Sequence, residues 1–204
     1  MCNFGEKMIY YIIDTRFPHA FRRSVELNTR TGDDQMEDFE FPSLYHFVYA
    51  NQSIKQIVQD TKRFMLDAKW GYYSVDMIRL CGHGDTGYLQ FGEGLSESNA
   101  AEFSELSVFM KPDYSRVGIE IHGCGVGSDT SVVGAASTIN NPVCVPGSSQ
   151  NGDRGRIFLM KLAKAVKRHV RAGINCQMVA HRYDNWKFEG PTITATPWGD
   201  SWLR

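Results

Sequence analysis

From Met8 to Asp14 the chain is a near-continuous run of β-branched and aromatic residues, the pattern of a strand buried on both faces. Further strands are predicted at Val75–Cys81, Val117–Ile121 and Ile174–Ala180, and at Leu44–Tyr49, Tyr88–Phe91 and Trp186–Thr194. Between them the spacing lengthens to three and four. Ile54, Ile57, Val58, Thr61, Met65 and Ala68 fall on one side, and Lys55, Gln59, Lys62 and Arg63 fill the other. This predicts a helix over 53–69, with Gly71 placed to end it. A second helix is predicted from near Ser98, with Ala101, Phe103, Leu106, Phe109 and Met110 on one face and Pro112 as its stop. The clearest helical pattern spans Arg156–Arg171, where Ile157, Phe158, Leu162, Ala165, Val166, His169 and Val170 share a face and Gly173 follows.

Strands alternating with helices predict an α/β fold, a mostly parallel sheet flanked by helices on both faces. No repeat, linker or low-complexity tract divides the chain, so residues 1–204 are expected to form a single domain. Two stretches lack a period. Thr29–Pro42 is acidic and reads as a surface loop. Gly123–Gly155 is rich in Gly, Ser, Thr, Asn and Pro, and a loop of that length is usually functional or disordered.

Composition narrows the function classes. With 42% hydrophobic residues and a formal net charge of −1, the chain can bury one sizeable core and carries no charge excess suited to nucleic acid or an anionic membrane. No run approaches the ~18 apolar residues of a membrane span. The apolar run at Met8–Ile13 is short for a signal peptide and follows Glu6-Lys7 without a small-residue cleavage pattern. The expectation is a protein cytoplasmic at synthesis, open to secretion as an effector only by a non-classical route. Five scattered cysteines (Cys2, Cys81, Cys124, Cys144, Cys176) with no Cys-x-x-Cys argue against a disulfide framework or a structural zinc. No metal and no other cofactor is expected.

The chemistry gathers at two strand ends. In an open parallel sheet, sites form beyond the carboxyl ends of the strands. Met77–Leu80 runs into Cys81-Gly82-His83-Gly84, and Ile119–Ile121 runs into His122-Gly123-Cys124-Gly125. A thiol of ordinary pKa, about 8.5, is mostly protonated at neutral pH, and a nearby imidazole can take that proton and later return it to a leaving amine. Glycines beside both residues let backbone N–H groups approach closely enough to stabilise an oxyanion. The bland alternatives are a packing cysteine and a turn histidine. Gly123-x-Gly125-x-Gly127-Ser128 lacks the Gly-Lys-Ser/Thr of a phosphate loop. His122, His83 and His181 have no recognised metal spacing, and Trp186, Trp198 and Trp202 suit packing better than a carbohydrate platform.

Leu80-Cys81-Gly82-His83-Gly84-Asp85-Thr86-Gly87-Tyr88-Leu89-Gln90-Phe91-Gly92 resembles the histidine motif of the caspase-like cysteine peptidases, the superfamily of caspases, metacaspases, gingipain, clostripain and separase. Ile121-His122-Gly123-Cys124-Gly125-Val126-Gly127 is similar to its cysteine motif, and the likeness is nearest to bacterial caspase-like domains. It covers roughly Met8–Asp14 and Val75–Ala180. The resemblance implies a caspase-like fold and an endopeptidase acting on a protein or peptide substrate, with Cys124 as nucleophile and His83 as acid/base. The N–H groups of Gly84 and Cys124 would form the oxyanion hole. It also allows an activating partner, and a toxin, defence or effector role by association.

His122 departs from the family pattern, which has glutamine there in caspases. This alters the expected pocket floor and makes His122 an alternative base. For an acidic substrate residue the resemblance points to Arg22 or Arg23 and to Arg182. For a basic one, the candidates are Asp14, Glu120 and Asp129. Asp129 and the Asp153-Arg154 step are candidate self-cleavage points within the Gly123–Gly155 loop. Two rival readings stand beside the peptidase: a Cys/His acyl-transfer enzyme such as a protein glutamine deamidase, and a catalytically inactive binding module.

Overall fold

Strand β1 (Ile9–Asp14) is buried along its whole length, and its residues divide between two apolar cores. Tyr10 and Ile12 face the larger one, while Ile9, Tyr11 and Ile13 face a smaller one with Cys81. This two-sided burial is why the sequence shows no alternation there. The computed structural model describes residues 8–16, 43–114, 116–134, 144–150, 153–175, 188 and 190–203. The Thr29–Pro42 stretch, Arg22, Arg23, His181, Arg182, Trp186, Cys2 and Cys176 lie outside the described residues.

The chain continues through β2 (Ser43–Val48), helix α1 (Ile54–Asp67), β3 (Met77–Cys81), β4 (His83–Asp85), β5 (Tyr88–Gln90) and β6 (Leu95–Ser96). A 3₁₀ helix (Ala100–Phe109) leads to β7 (Val117–His122), β8 (Thr130–Gly134) and β9 (Cys144–Gln150). Helix α2 (Arg154–Val166), β10 (His169–Gly173), β11 (Thr192–Ala195) and β12 (Ser201–Leu203) complete it. Seven strands form one sheet in the order β12-β11-β10-β7-β3-β1-β2. The pairs from β2 to β10 are parallel, and β11 and β12 add an antiparallel edge. The fold is α/β with a mostly parallel sheet.

Helix α1 starts where Ser53 accepts a hydrogen bond from the Gln56 amide, and it buries Ile54, Ile57, Val58, Thr61 and Met65 as the spacing predicts. Ala68 is exposed, and the left-handed residue that ends the helix is Lys69 rather than Gly71. The helix predicted from Ser98 is a 3₁₀ helix. Its buried residues Ala100, Phe103, Leu106 and Phe109 recur every three positions, so three residues per turn brings all four to the core, and Ala101 faces out. These helices and α2 share the larger core.

The largest departure is at the end of α2. The helical pattern predicted to reach Arg171 stops at Val166, and Lys167 caps it in the left-handed region. The Arg168 guanidinium donates to the Lys111 and Met110 carbonyls, drawing the chain across to the sheet, where His169–Gly173 is a strand. His169 and Val170 continue the helical spacing only because an interior strand is apolar on both faces. Ile174 and Asn175 form a bend, and the rest of the strand expected at Ile174–Ala180 lies outside the described residues. The Gly123–Gly155 stretch contains an antiparallel pair, β8 with β9. The last predicted strand is shorter, Thr192–Ala195, with Trp186 outside the described residues. Among the described residues no helix is long and apolar enough to cross a membrane.

Candidate active site

β3 and β7 lie side by side in parallel, with Cys81 opposite His122 as their last registered pair. His83 and Cys124 each stand two residues past that pair, just beyond the carboxyl ends of adjacent strands. The Gly82 amide donates to the His122 carbonyl at 3.1 Å, which prolongs the ladder by one step. Beyond it the two chains touch through backbone. A Cβ on Gly84 would lie 2.8 Å from the Cys124 nitrogen, 2.7 Å from its carbonyl oxygen and 2.5 Å from Val126 Cγ2. A Cβ on Gly123 would lie 2.7 Å from Leu89 Cδ1 and 3.0 Å from the Gly82 oxygen. The glycines of both motifs are therefore there for close approach.

The cysteine loop is pinned from the neighbouring strand. Gly125, at φ 60°, donates to the Asn175 carbonyl at 2.9 Å, and Gly127 donates to the Gly173 carbonyl at 3.0 Å. The Gly87 amide, from the histidine motif, donates to the Val126 carbonyl at 3.1 Å. Cys124 is a half-buried thiol. Cys81, one strand away, is fully enclosed, and burial pushes its thiol well above the ordinary range.

His83 is exposed on β4, opposite Gln90 of β5 in a small three-stranded sheet. Its Nε2 lies 3.0 Å from the main-chain oxygen of Arg16. A carbonyl only accepts, so that contact assigns the proton to Nε2 and, in the neutral ring, the lone pair to Nδ1. This partner was illegible in the sequence, because any residue supplies a carbonyl. Asp14, a candidate pocket acid, is 0% exposed and occupied: it accepts from Arg16 and from the Gly92 amide.

His122 faces the smaller core. Its ring stacks flat on Phe188, with centroids 4.7 Å apart, and its Nε2 lies 3.4 Å from Glu120 Oε2. Burial lowers its pKa, against the pull of the Glu120 carboxylate. Glu120 is 2% exposed and sits between two arginines, accepting from Arg79 Nε at 2.9 Å and from Arg171. Burial opposes its ionisation. The His122 hydrogen bond, with Arg79 and Arg171, outweighs that and holds the carboxyl well below the usual carboxylate range. Arg79 also donates to the Tyr11 hydroxyl at 2.8 Å. Registered pairs Tyr11–Arg79, Arg79–Glu120 and Glu120–Arg171 make this a polar row across the sheet. The alternating charges at Arg79, Glu120 and Arg171 were its only signal in the sequence.

The remaining acid, Asp129, pairs with Arg156 at 3.0 Å. Asp153 and Arg154, the other candidate self-cleavage step, are both exposed at the start of α2. Among the described residues no group of three His, Cys, Asp or Glu is arranged to hold a metal ion. Past the ends of β3 and β7 stand the Cys124 thiol, the His83 ring held at the Arg16 carbonyl, and closely packed backbone between the two loops. No protein-family model, no curated protein and no solved structure matches this chain.

Proposed function

We propose that the chain is a cysteine endopeptidase with Cys124 as nucleophile and His83 as its acid/base. The observation that carries this reading is the equal step of the two residues past the Cys81–His122 pair, with Gly84 packed on the Cys124 backbone. In the reaction, the His83 lone pair takes the Cys124 proton, and the thiolate sulfur bonds to the carbonyl carbon of the scissile peptide. The N–H groups of Gly84 and Cys124 stabilise the oxyanion. The His83 ring then gives its proton to the leaving amine. Water, deprotonated by the same ring, splits the thioester and restores the thiol. The Arg16 carbonyl holds the ring's other nitrogen and so does the orienting work that a third side chain does in other triads.

The residue before the cut is acidic rather than basic in this reading. Each of the three acids that could hold a basic residue is ion-paired with arginine: Asp14 with Arg16, Glu120 with Arg79 and Arg171, Asp129 with Arg156. Arg171 is itself paired with Glu120, but its guanidinium is partly exposed over Phe188 beside His122 and has N–H donors beyond that pair, so it offers a cation instead. The resemblance of both motifs to caspase-like peptidases supports the same assignment of residues.

The test is a mixed protein digest with new N-termini mapped, for the parent chain, Cys124→Ala and His83→Ala. New termini that vanish in both variants are the expected result. Glutamine converted to glutamate without a cut would replace the peptidase by a deamidase. No chemical change in any substrate would leave a binding module.

A further inference from the structure

The end of β1 holds an arrangement that core packing does not require. Asp14 is wholly buried, yet it is a carboxylate. Its Oδ1 accepts from the Arg16 amide at 2.9 Å and from Arg16 Nε at 2.8 Å. Its Oδ2 accepts from the terminal guanidinium nitrogen at 2.6 Å and from the Gly92 amide at 2.9 Å. The same guanidinium nitrogen donates to the Gly92 carbonyl at 2.7 Å, and the Asp14 bond and charge raise the Arg16 pKa. A buried charge met by a two-pronged partner and a backbone amide defines one geometry and tolerates few others.

What that geometry holds is main chain. The Thr15 amide donates to the Val48 carbonyl at 2.8 Å, and the carbonyl of the following residue, Arg16, meets His83 Nε2. Gly92 follows two residues after Gln90, the registered partner of His83. The contacts therefore close a ring: Asp14 to Arg16, Arg16 to His83, His83 across the ladder to Gln90, and Gly92 back to Asp14. Both the carbonyl and the hairpin that carries the imidazole are tied to one carboxylate.

We propose that Asp14 and Arg16 are positioning residues for His83, a clamp that fixes the Arg16 carbonyl so that the ring keeps its proton on Nε2 and presents Nδ1 as the base. The clamp rests on the peptidase reading for its purpose, though not for its geometry. Neither side chain touches substrate in this scheme. Asp14 is thereby removed from the pocket acids and given a different role.

The test reads the ring directly. Long-range proton–nitrogen spectra of the neutral His83 ring should show the Nε2–H tautomer in the parent chain and a mixture in Asp14→Asn. Iodoacetamide alkylation of Cys124 should slow by roughly ten- to a hundredfold in the same variant, the scale of a small misplacement of a reacting group. In a His83→Ala background, Asp14→Asn should change that rate no further. Arg16→Lys keeps the charge beside Asp14 without the fork, and gives a smaller shift in both readouts. It decides the matter should Asp14→Asn fail to fold.

An unchanged tautomer in the folded variants would overturn the clamp, as would an Asp14→Asn effect that persists without His83. A clamp-dependent tautomer in a parent chain whose Cys124 reacts no faster than an ordinary thiol would sustain the clamp and remove the peptidase reading.

Discussion

Gly84 stands so close to Cys124 that a single added carbon would lie 2.8 Å from the cysteine's amide nitrogen. Real Cβ atoms essentially never come under 3.0 Å, and here the obstacle is backbone, which cannot rotate away. Gly84→Ala should therefore push the histidine hairpin off the cysteine loop. The expected loss is about 1–3 kcal/mol in urea unfolding, the usual cost of overpacking, and Cys124 alkylation should slow more than stability explains. A variant of parental stability and reactivity would show that the two loops move freely.

Thiol reactivity should separate sharply by position. Cys81 is fully enclosed and its thiol is pushed upward by burial, so it should stay unlabelled by iodoacetamide until the chain is denatured. Cys124 should label in the folded protein, at a rate that falls in His83→Ala. Peptide mapping of the alkylated sites reads both, and an effect of His83→Ala no larger than that of an exposed control substitution would dissociate the pair.

A mixed peptide library should yield cuts after Asp or Glu. Cuts after Arg or Lys would mean that one of the three arginine-paired carboxylates gives up its partner on binding. Arg171→Met should then lower turnover of acidic substrates by about tenfold or more, in line with the loss of one charge-assisted contact. Turnover of every substrate falling equally would point to the sheet rather than the pocket.

The polar row across the sheet should be costly to break. Glu120 is buried between Arg79 and Arg171, and removing its charge leaves two guanidiniums facing each other in a low-dielectric setting. Glu120→Gln should cost about 3–5 kcal/mol by thermal or urea unfolding, as expected for one partner lost from a buried pair. A loss under about 1 kcal/mol would indicate that water reaches the row.

His46 should make stability depend on pH. Its Nδ1 lies 3.1 Å from the Tyr10 hydroxyl, its Nε2 is buried without a partner among the described residues, and burial pulls its pKa down from 6.5 to about 4. Below about pH 6.5 the unfolded chain takes up a proton that the native ring refuses. The His46 contribution is therefore fully present above that value and is lost as pH falls to about 4, by ~3 kcal/mol in all. Urea midpoints for the parent chain and His46→Gln should diverge through this window, and parallel curves would show a ring that ionises freely in the native state.

Much of this molecule is set locally. The apolar runs at Ile9–Asp14, Met77–Cys81 and Val117–His122 mark strands, and the three-and-four spacing after Ser53 marks a helix buried on one side. Cys124 and His83 stood out as candidates because a cysteine or histidine among glycines at a strand end falls outside any packing pattern. Local pattern failed at His169–Gly173, where two-sided burial imitates a helix, and at Ala100–Phe109, where the spacing of three marks a tighter turn. What only the tertiary structure decided are the partnerships. The fold set the loops of His83 and Cys124 beyond adjacent strand ends, brought Gly92 to Asp14, and closed Glu120 by register between two arginines that lie 41 residues before it and 51 after it in the chain. A residue's type states which bonds it can make. The partner it finds depends on which strands lie side by side, and that is settled by burial over the whole sheet.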